Sequence, residues 1–139
     1  MLRTLLVEDS IPFRTVIKNE LLSKFPSIEV MEAGSGEEAL EKLGSRPMDL
    51  VLMDIGLPGQ SGLEVTKRIK ADYPDTTISI LTSYNLPEYR EAAIKCGASC
   101  FIDKGSFKWE EIFTLVGCFQ KAKLDARKPN CIRFPGWFE

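Results

Sequence analysis

Five short runs of apolar, β-forming residues alternate along the chain with five segments of helical period, and this alternation restricts the fold more than any other feature. The runs are "RTLLVE" (3–8), "IEVMEA" (28–33), "DLVLM" (49–53), "TISILT" (77–82) and "SCFID" (99–103). Runs of this length and composition read as strands. Between them, residues 11–25 place Phe13, Val16, Ile17 and Leu21 at helical spacing, with Pro12 in the first turn, where proline is tolerated. Ser35 and Glu38 form an S-x-x-E capping box that opens a helix holding Ala39, Leu40 and Leu43. A second box, Ser61 and Glu64, opens a helix running to about Asp72, just before "YPD". Residues 87–96 read as a helix closed by Gly97. Ser106 is expected to cap a last helix with Trp109, Ile112, Phe113, Val116 and Phe119 on one face. From about Asp125 the periodicity stops, which predicts a domain over 1–123 and a C-terminal tail over 124–139.

Strands that alternate with helices imply a parallel sheet covered on both faces, a doubly wound α/β domain. The expectation is a flavodoxin-like five-stranded parallel sheet in the order 2-1-3-4-5, with five helices. At 139 residues the chain is one domain with room for a core. Its 44% apolar and 27% charged residues are ordinary for a soluble protein. A net charge of −2 gives no electrostatic case for nucleic acid as the main partner. No apolar stretch approaches the roughly 20 residues of a membrane span. The start, "MLRTLLVEDS", lacks the apolar segment and cleavage site of a signal peptide, so a cytoplasmic location is expected.

Cys96 and Cys100 have three residues between them, and Cys118 and Cys131 stand alone, so no zinc-type pair is present. These cysteines read as small apolar thiols in or near the core. The chain contains no histidine. That removes the usual zinc ligand, the usual general base and every histidine-based triad. Any chemistry must run on carboxylates, hydroxyls and amines.

The stretch "LVLMDIGLPGQSG" (50–62) ends the most hydrophobic strand on a carboxylate, Asp54, followed by a Gly/Pro-rich turn. In a parallel sheet all strand C-termini lie at one edge, and open α/β sheets bind ligands there. The first strand ends in Glu8 and Asp9, the fourth in Thr82 and Ser83, and the fifth is followed by Lys104. In the order 2-1-3-4-5 the first and third strands are neighbours, about 4.8 Å apart. Glu8, Asp9 and Asp54 then share a crevice, flanked by a hydroxyl and an ammonium. Three carboxylates so close repel unless compensated, and a hard cation with oxygen ligands such as Mg²⁺ suits them. Asp54 would then be a nucleophile able to form an aspartyl-phosphate, with Lys104 and Thr82 placed to hold phosphoryl oxygens.

With these residues in place, the chain resembles a receiver domain of the two-component response regulators, from Leu2 to about Lys123. "LLVEDS" resembles the family's acidic-pair strand and "LVLMDIGLPGQSGLE" its phosphoacceptor segment. "ISILTS" resembles its switch-hydroxyl strand and "GASCFIDKG" its lysine segment. The resemblance implies Asp54 as phosphorylation site and Glu8 and Asp9 as the Mg²⁺ pocket, with the Gly56 carbonyl as a further ligand. It implies Thr82, beside Ser83, as the switch hydroxyl, Lys104 as phosphate partner and Phe101 as a switch aromatic. The implied phosphodonor is a histidine kinase or histidine phosphotransfer protein. The implied output is a downstream protein target, or a phosphorylation-dependent homodimer, read from the surface of helix 4, strand 5 and helix 5. No enzymatic activity is implied beyond self-phosphorylation and autodephosphorylation.

Two departures from the family pattern stand out. Gly105 follows the lysine where many receivers have a proline in a cis bond, so a trans Lys104–Gly105 peptide is expected. Phe101 stands where a tyrosine is common and has no hydroxyl to present. By resemblance, the residues two after the phosphoacceptor and two after the switch hydroxyl flank the path of a hydrolytic water. Here they are Gly56 and Tyr84, which implies a long-lived phosphate. The wording "DIGLPGQSGLE" with "DKG" is closest to receivers that carry a LuxR-type DNA-binding domain, for which residues after 123 leave no space.

Two other functions compete with this one. A phosphohydrolase of the haloacid dehalogenase type needs a second aspartate two positions after the nucleophile as general acid, and that position is Gly56. A degenerate receiver acting as a phosphorylation-independent interaction module would not need the acidic pocket, which is complete here. The tail carries Phe134, Trp137 and Phe138 within five residues, enough apolar surface to dock on the domain or on a partner, although a loose terminus is the first expectation.

Overall fold

The strand Leu50–Met53 is buried at every position, and the rest of the fold is arranged to cover it. The computed structural model describes residues 1–124. In chain order its elements are β1 (Arg3–Val7), α1 (Ile11–Lys24), β2 (Glu29–Ala33), α2 (Gly36–Ser45), β3 (Leu50–Met53), α3 (Gly62–Asp72), β4 (Thr77–Thr82), α4 (Pro87–Cys96), β5 (Cys100–Asp103) and α5 (Trp109–Leu124). The tail aromatics Phe134, Trp137 and Phe138, and Cys131, lie outside the described residues. The five strands form one sheet in the order β2-β1-β3-β4-β5, with every pair parallel. This is the flavodoxin-like arrangement expected from the alternation.

Because strand side chains alternate between faces, the sheet divides its apolar residues between two cores. Leu6, Leu50, Leu52, Leu81 and Ile102 pack against Ile17 and Leu21 of α1 and Ile112, Val116 and Phe119 of α5. Leu5, Val7, Val51, Met53, Ile80 and Phe101 pack against Ala39 and Leu43 of α2, Val65 and Ile69 of α3 and Ala93 of α4. Each fully buried Leu, Ile or Val contributes roughly 1.5–3 kcal/mol relative to exposure. Of the described cysteines Cys100 is buried, while Cys96 and Cys118 are half-buried free thiols. Burial pushes the Cys100 thiol up to about 11, which leaves it protonated and inert.

The strand and helix boundaries move by a residue from expectation at several points. β1 stops at Val7, so Glu8 opens the following loop; β2 begins at Glu29, β3 at Leu50 and β5 at Cys100, and α1 ends at Lys24. The capping residues differ in detail. Ser35 accepts the Glu38 amide at 3.2 Å, but the Glu38 carboxylate reaches past it to the Gly34 amide at 3.1 Å. Ser61 caps α3 through the Leu63 amide at 3.2 Å, one position short of a box. Ser106 does not cap the last helix, which starts only at Trp109. Its hydroxyl donates instead to the Asp103 carboxylate at 3.0 Å, which also accepts the Gly105 amide at 2.9 Å and the Asn85 amide at 2.8 Å. That charged acceptor holds 103–107 as a turn before α5 can begin. Gly97 closes α4 with a left-handed φ of 104°, as glycine permits. Among the described residues no peptide is cis, so Lys104–Gly105 is trans. No helix among them is long and apolar enough to cross a membrane.

Candidate functional site

Backbone rungs bring the acids together. The Asp54 amide donates to the carbonyl of Val7, the last residue of β1, at 3.1 Å, continuing the β1–β3 pairing one residue past the end of β3. The Glu8 amide donates to Ala33 O at 3.0 Å, doing the same against β2. Glu8 is 2% exposed and Asp54 8%, while Asp9 beside them is exposed. One carboxylate oxygen of each lies within 4.8 Å of the others. On the far side of β3, the Lys104 amide donates to Thr82 O at 2.8 Å, which carries that lysine to the same edge.

Lys104 does more than flank the acids. Its Nζ donates to Asp54 Oδ2 at 2.9 Å, contacts Glu8 Oε1 directly, and sits 4.5 Å from the centroid of the Phe13 ring. The ring offers the ammonium a cation–π surface. Burial opposes the charge on Lys104, but its hydrogen bonds to Glu8 and Asp54 outweigh that and raise its pKa. For Glu8 burial dominates: it raises the pKa against the pull of Lys104, and the nearby Asp54 charge adds to it. Part of the compensation expected from a cation thus comes from the lysine itself.

The donor set around the opening consists of hard oxygens alone, which fits a small divalent cation and no soft metal. Glu8, Asp9 and Asp54 could hold it. Asp54 has little freedom to move away. Its Oδ1 accepts the Gly56 amide at 3.4 Å, and α3 starts directly against its backbone. A Cβ at Gly62 would overlap the Asp54 carbonyl oxygen and lie 2.8 Å from its carbon. Only glycine lets the helix begin there.

The remaining expected residues spread around the rim. Thr82 is fully buried, and its hydroxyl accepts the Tyr84 amide at 3.3 Å, while Ser83 is exposed. Phe101 is 4% exposed within the α2–α3–α4 core, with the Arg90 guanidinium 5.1 Å from its ring centroid. Tyr84 is 45% exposed yet lies across Gly56, since a Cβ at position 56 would sit 2.9 Å from its hydroxyl. Its ring also packs on Tyr89 of α4 at 5.3 Å between centroids. Two contributors had no signal in the sequence reading of the site. Phe13 was visible only as an apolar helix position, and Arg14, which donates to the Glu8 carbonyl at 2.7 Å, had no pattern to mark it.

The model of the response regulator receiver domain family matches residues 4–116. The chain is 33% identical over 107 residues to the response regulator GacA of Pseudomonas viridiflava, covering 76% of this chain and 50% of that protein. It spans half or less of the length of these curated relatives. Among solved structures, the response regulator TrrA of Thermotoga maritima, in complex with Mg²⁺ and BeF, superposes with a TM-score of 0.75 at 37% identity, covering 86% of this chain and 99% of that one. A LuxR-family two-component response regulator from Aurantimonas superposes with a TM-score of 0.76 at 28% identity, covering 92% and 90%. The sheet order, the strand-end acids and these matches lead to one assignment: the chain belongs to the response regulator receiver domains, the signal-transduction modules of two-component systems.

Proposed function

We propose that Asp54 accepts a phosphoryl group from the phosphohistidine of a histidine kinase or histidine phosphotransfer protein, in a Mg²⁺-dependent reaction. An Asp54 oxygen bonds to phosphorus as the phosphorus–nitrogen bond of the donor breaks, and the imidazole leaves with the electron pair. Glu8, Asp9, Asp54 and the Gly56 carbonyl would hold the metal. When bound, it supplies positive charge against the phosphoryl oxygens. Lys104, already 2.9 Å from Asp54, offers its ammonium to one of those oxygens. Thr82, with Ser83 at the same strand end, offers a hydroxyl to another. Among the described residues the Thr82 oxygen acts only as acceptor, for the Tyr84 amide, so its proton is available.

In this reading the phosphoryl group draws the Thr82 hydroxyl toward it, and the Phe101 ring responds to the space that opens. The equilibrium of the α4–β5–α5 surface shifts, which a downstream protein or a second copy of the chain reads. Gly56 and Tyr84 set how easily water reaches the phosphorus. The receiver covers 1–123, and 124–139 is an appended tail. A cytoplasmic location suits such a module, and a net charge of −2 favours protein partners over nucleic acid or membrane.

The observation that carries this reading is the Lys104 ammonium bridging Glu8 and Asp54 beside Asp9. Intact mass after incubation with Mg²⁺ and acetyl phosphate tests it. Wild type should gain one phosphoryl group, while Asp54→Asn, or wild type in excess chelator, should gain none. Full phosphorylation of Asp54→Asn would remove the assignment.

A further inference from the structure

We propose that Arg14 is a positioning residue of the acidic pocket, fixing the Glu8–Asp9 peptide so that both carboxylates stay aimed at a divalent cation. The inference rests on the phosphoacceptor reading above. Glu8 and Asp9 leave the sheet at the end of β1, where the ladder no longer holds them: the last rung is the Glu8 amide to Ala33 O at 3.0 Å. The next group, the Glu8 carbonyl, belongs to the peptide that sets where the Asp9 side chain starts. Arg14 Nη1 donates to that carbonyl at 2.7 Å. Asp9 is exposed, so packing does little to orient it, and the peptide plane must be set by hydrogen bonding.

The guanidinium is itself held. Its Nε donates to Glu32 Oε1 on the edge strand β2 at 3.1 Å, and Lys18 Nζ holds the other Glu32 oxygen at 3.0 Å. A planar guanidinium fixed at two nitrogens has one orientation, which a flexible ammonium in its place would not have. Gly34 leaves room for it, since a Cβ there would lie 3.1 Å from Nη1. A chain of bonds then closes on the loop. Glu8 Oε2 accepts the Ser10 amide at 3.1 Å, Ser10 O accepts the Arg14 amide at 2.9 Å, and Arg14 returns to Glu8 O. Arg14 touches no carboxylate of the pocket, so it acts on metal affinity and not on phosphoryl transfer. Groups that orient metal ligands in this way typically change affinity by about 10–100-fold when removed.

Calorimetric titration of the full chain with Mg²⁺, without phosphodonor, tests this. Arg14→Ala should weaken binding about tenfold, and Arg14→Lys and Glu32→Gln should fall between it and wild type. Lys18→Ala, which removes one support of Glu32 but leaves the Arg14–Glu32 and Arg14–Glu8 bonds, should weaken binding clearly less than Arg14→Ala does. With acetyl phosphate, Arg14→Ala should need more Mg²⁺ for half-maximal rate yet reach a similar limiting rate. Unchanged affinity in Arg14→Ala overturns the proposal, as does a reduced limiting rate at unchanged affinity. Equal weakening in Lys18→Ala would reduce it to a general charge effect and also overturn it. If Arg14→Ala does not fold, Glu32→Gln decides, and wild-type affinity there refutes the role. A wild type that binds no Mg²⁺ overturns the metal pocket itself, whereas binding that ignores Arg14 leaves the pocket standing.

Discussion

Glu8 is a carboxylate almost wholly removed from water, and burial raises its pKa even with an ammonium in contact. A carboxyl whose pKa is raised on folding holds its proton more tightly in the folded state. The resulting penalty is absent below the ordinary value of 4.5 and fully present above the folded one. Glu8→Gln keeps an acceptor for Lys104 and removes the charge. In chelator at neutral pH it should therefore stabilise the fold and raise the thermal midpoint. The gain should disappear as pH falls below that ordinary value, and thermal melts across pH would show it. A destabilised variant at neutral pH would mean that the Lys104 ion pair outweighs burial.

A second residue-scale prediction concerns Tyr84, whose ring covers Gly56 and, in the proposed reading, screens Asp54 from the approach of water. The aspartyl-phosphate should last minutes or more, and Tyr84→Ala should lose phosphate several-fold faster. Gly56→Asn by itself is a poor probe, because its Cβ must first displace that ring. The double variant Gly56→Asn/Tyr84→Ala isolates the asparagine, and phosphate retained longer in Tyr84→Ala than in wild type would refute the screen. The acids, Thr82 and Lys104 were legible in the sequence because they terminate strands, where spacing alone fixes their place. Phe13 and Arg14 were not, because their contacts run across α1 to groups that no local pattern marks.

At the scale of elements, apolar runs, helical spacing, capping boxes and a closing glycine identified every strand and helix of the described residues, and the ends were where these signals failed. Ends are set by hydrogen bonds, and several side chains compete for each free backbone group. Ser35 wins that competition at α2 through the Glu38 amide, whereas Ser106 is drawn away by Asp103 before α5 begins. Both serines read as N-caps in the sequence, and their removal separates them. Ser35→Ala should destabilise the fold by about 1 kcal/mol, the usual worth of an N-cap. Ser106→Ala should stay within about 0.5 kcal/mol, as an exposed turn position does. Urea midpoints at constant slope would measure both. An equal loss at the two positions would show that Ser106 supports α5 in solution.

For the molecule as a whole, the strand order followed from alternation because helices must cover both faces of a parallel sheet. The sequence could not reveal how tightly the sheet edge and its helices are fastened around the pocket. The end of α5 is tied back beneath the sheet, where Lys123 meets Asp49 at 2.7 Å and the same carboxylate accepts the Arg3 amide at 2.8 Å. At the opposite edge, α3 begins in contact with the backbone of Asp54, across a gap that only Gly62 can occupy. Every larger residue at that position must push either the helix or the backbone that carries Asp54. In a genetic screen for lost signalling, alleles at codon 62 would therefore be recovered alongside those at codon 54. They would have the same phenotype, although one position carries the proposed phosphoacceptor oxygen and the other carries only a hydrogen atom.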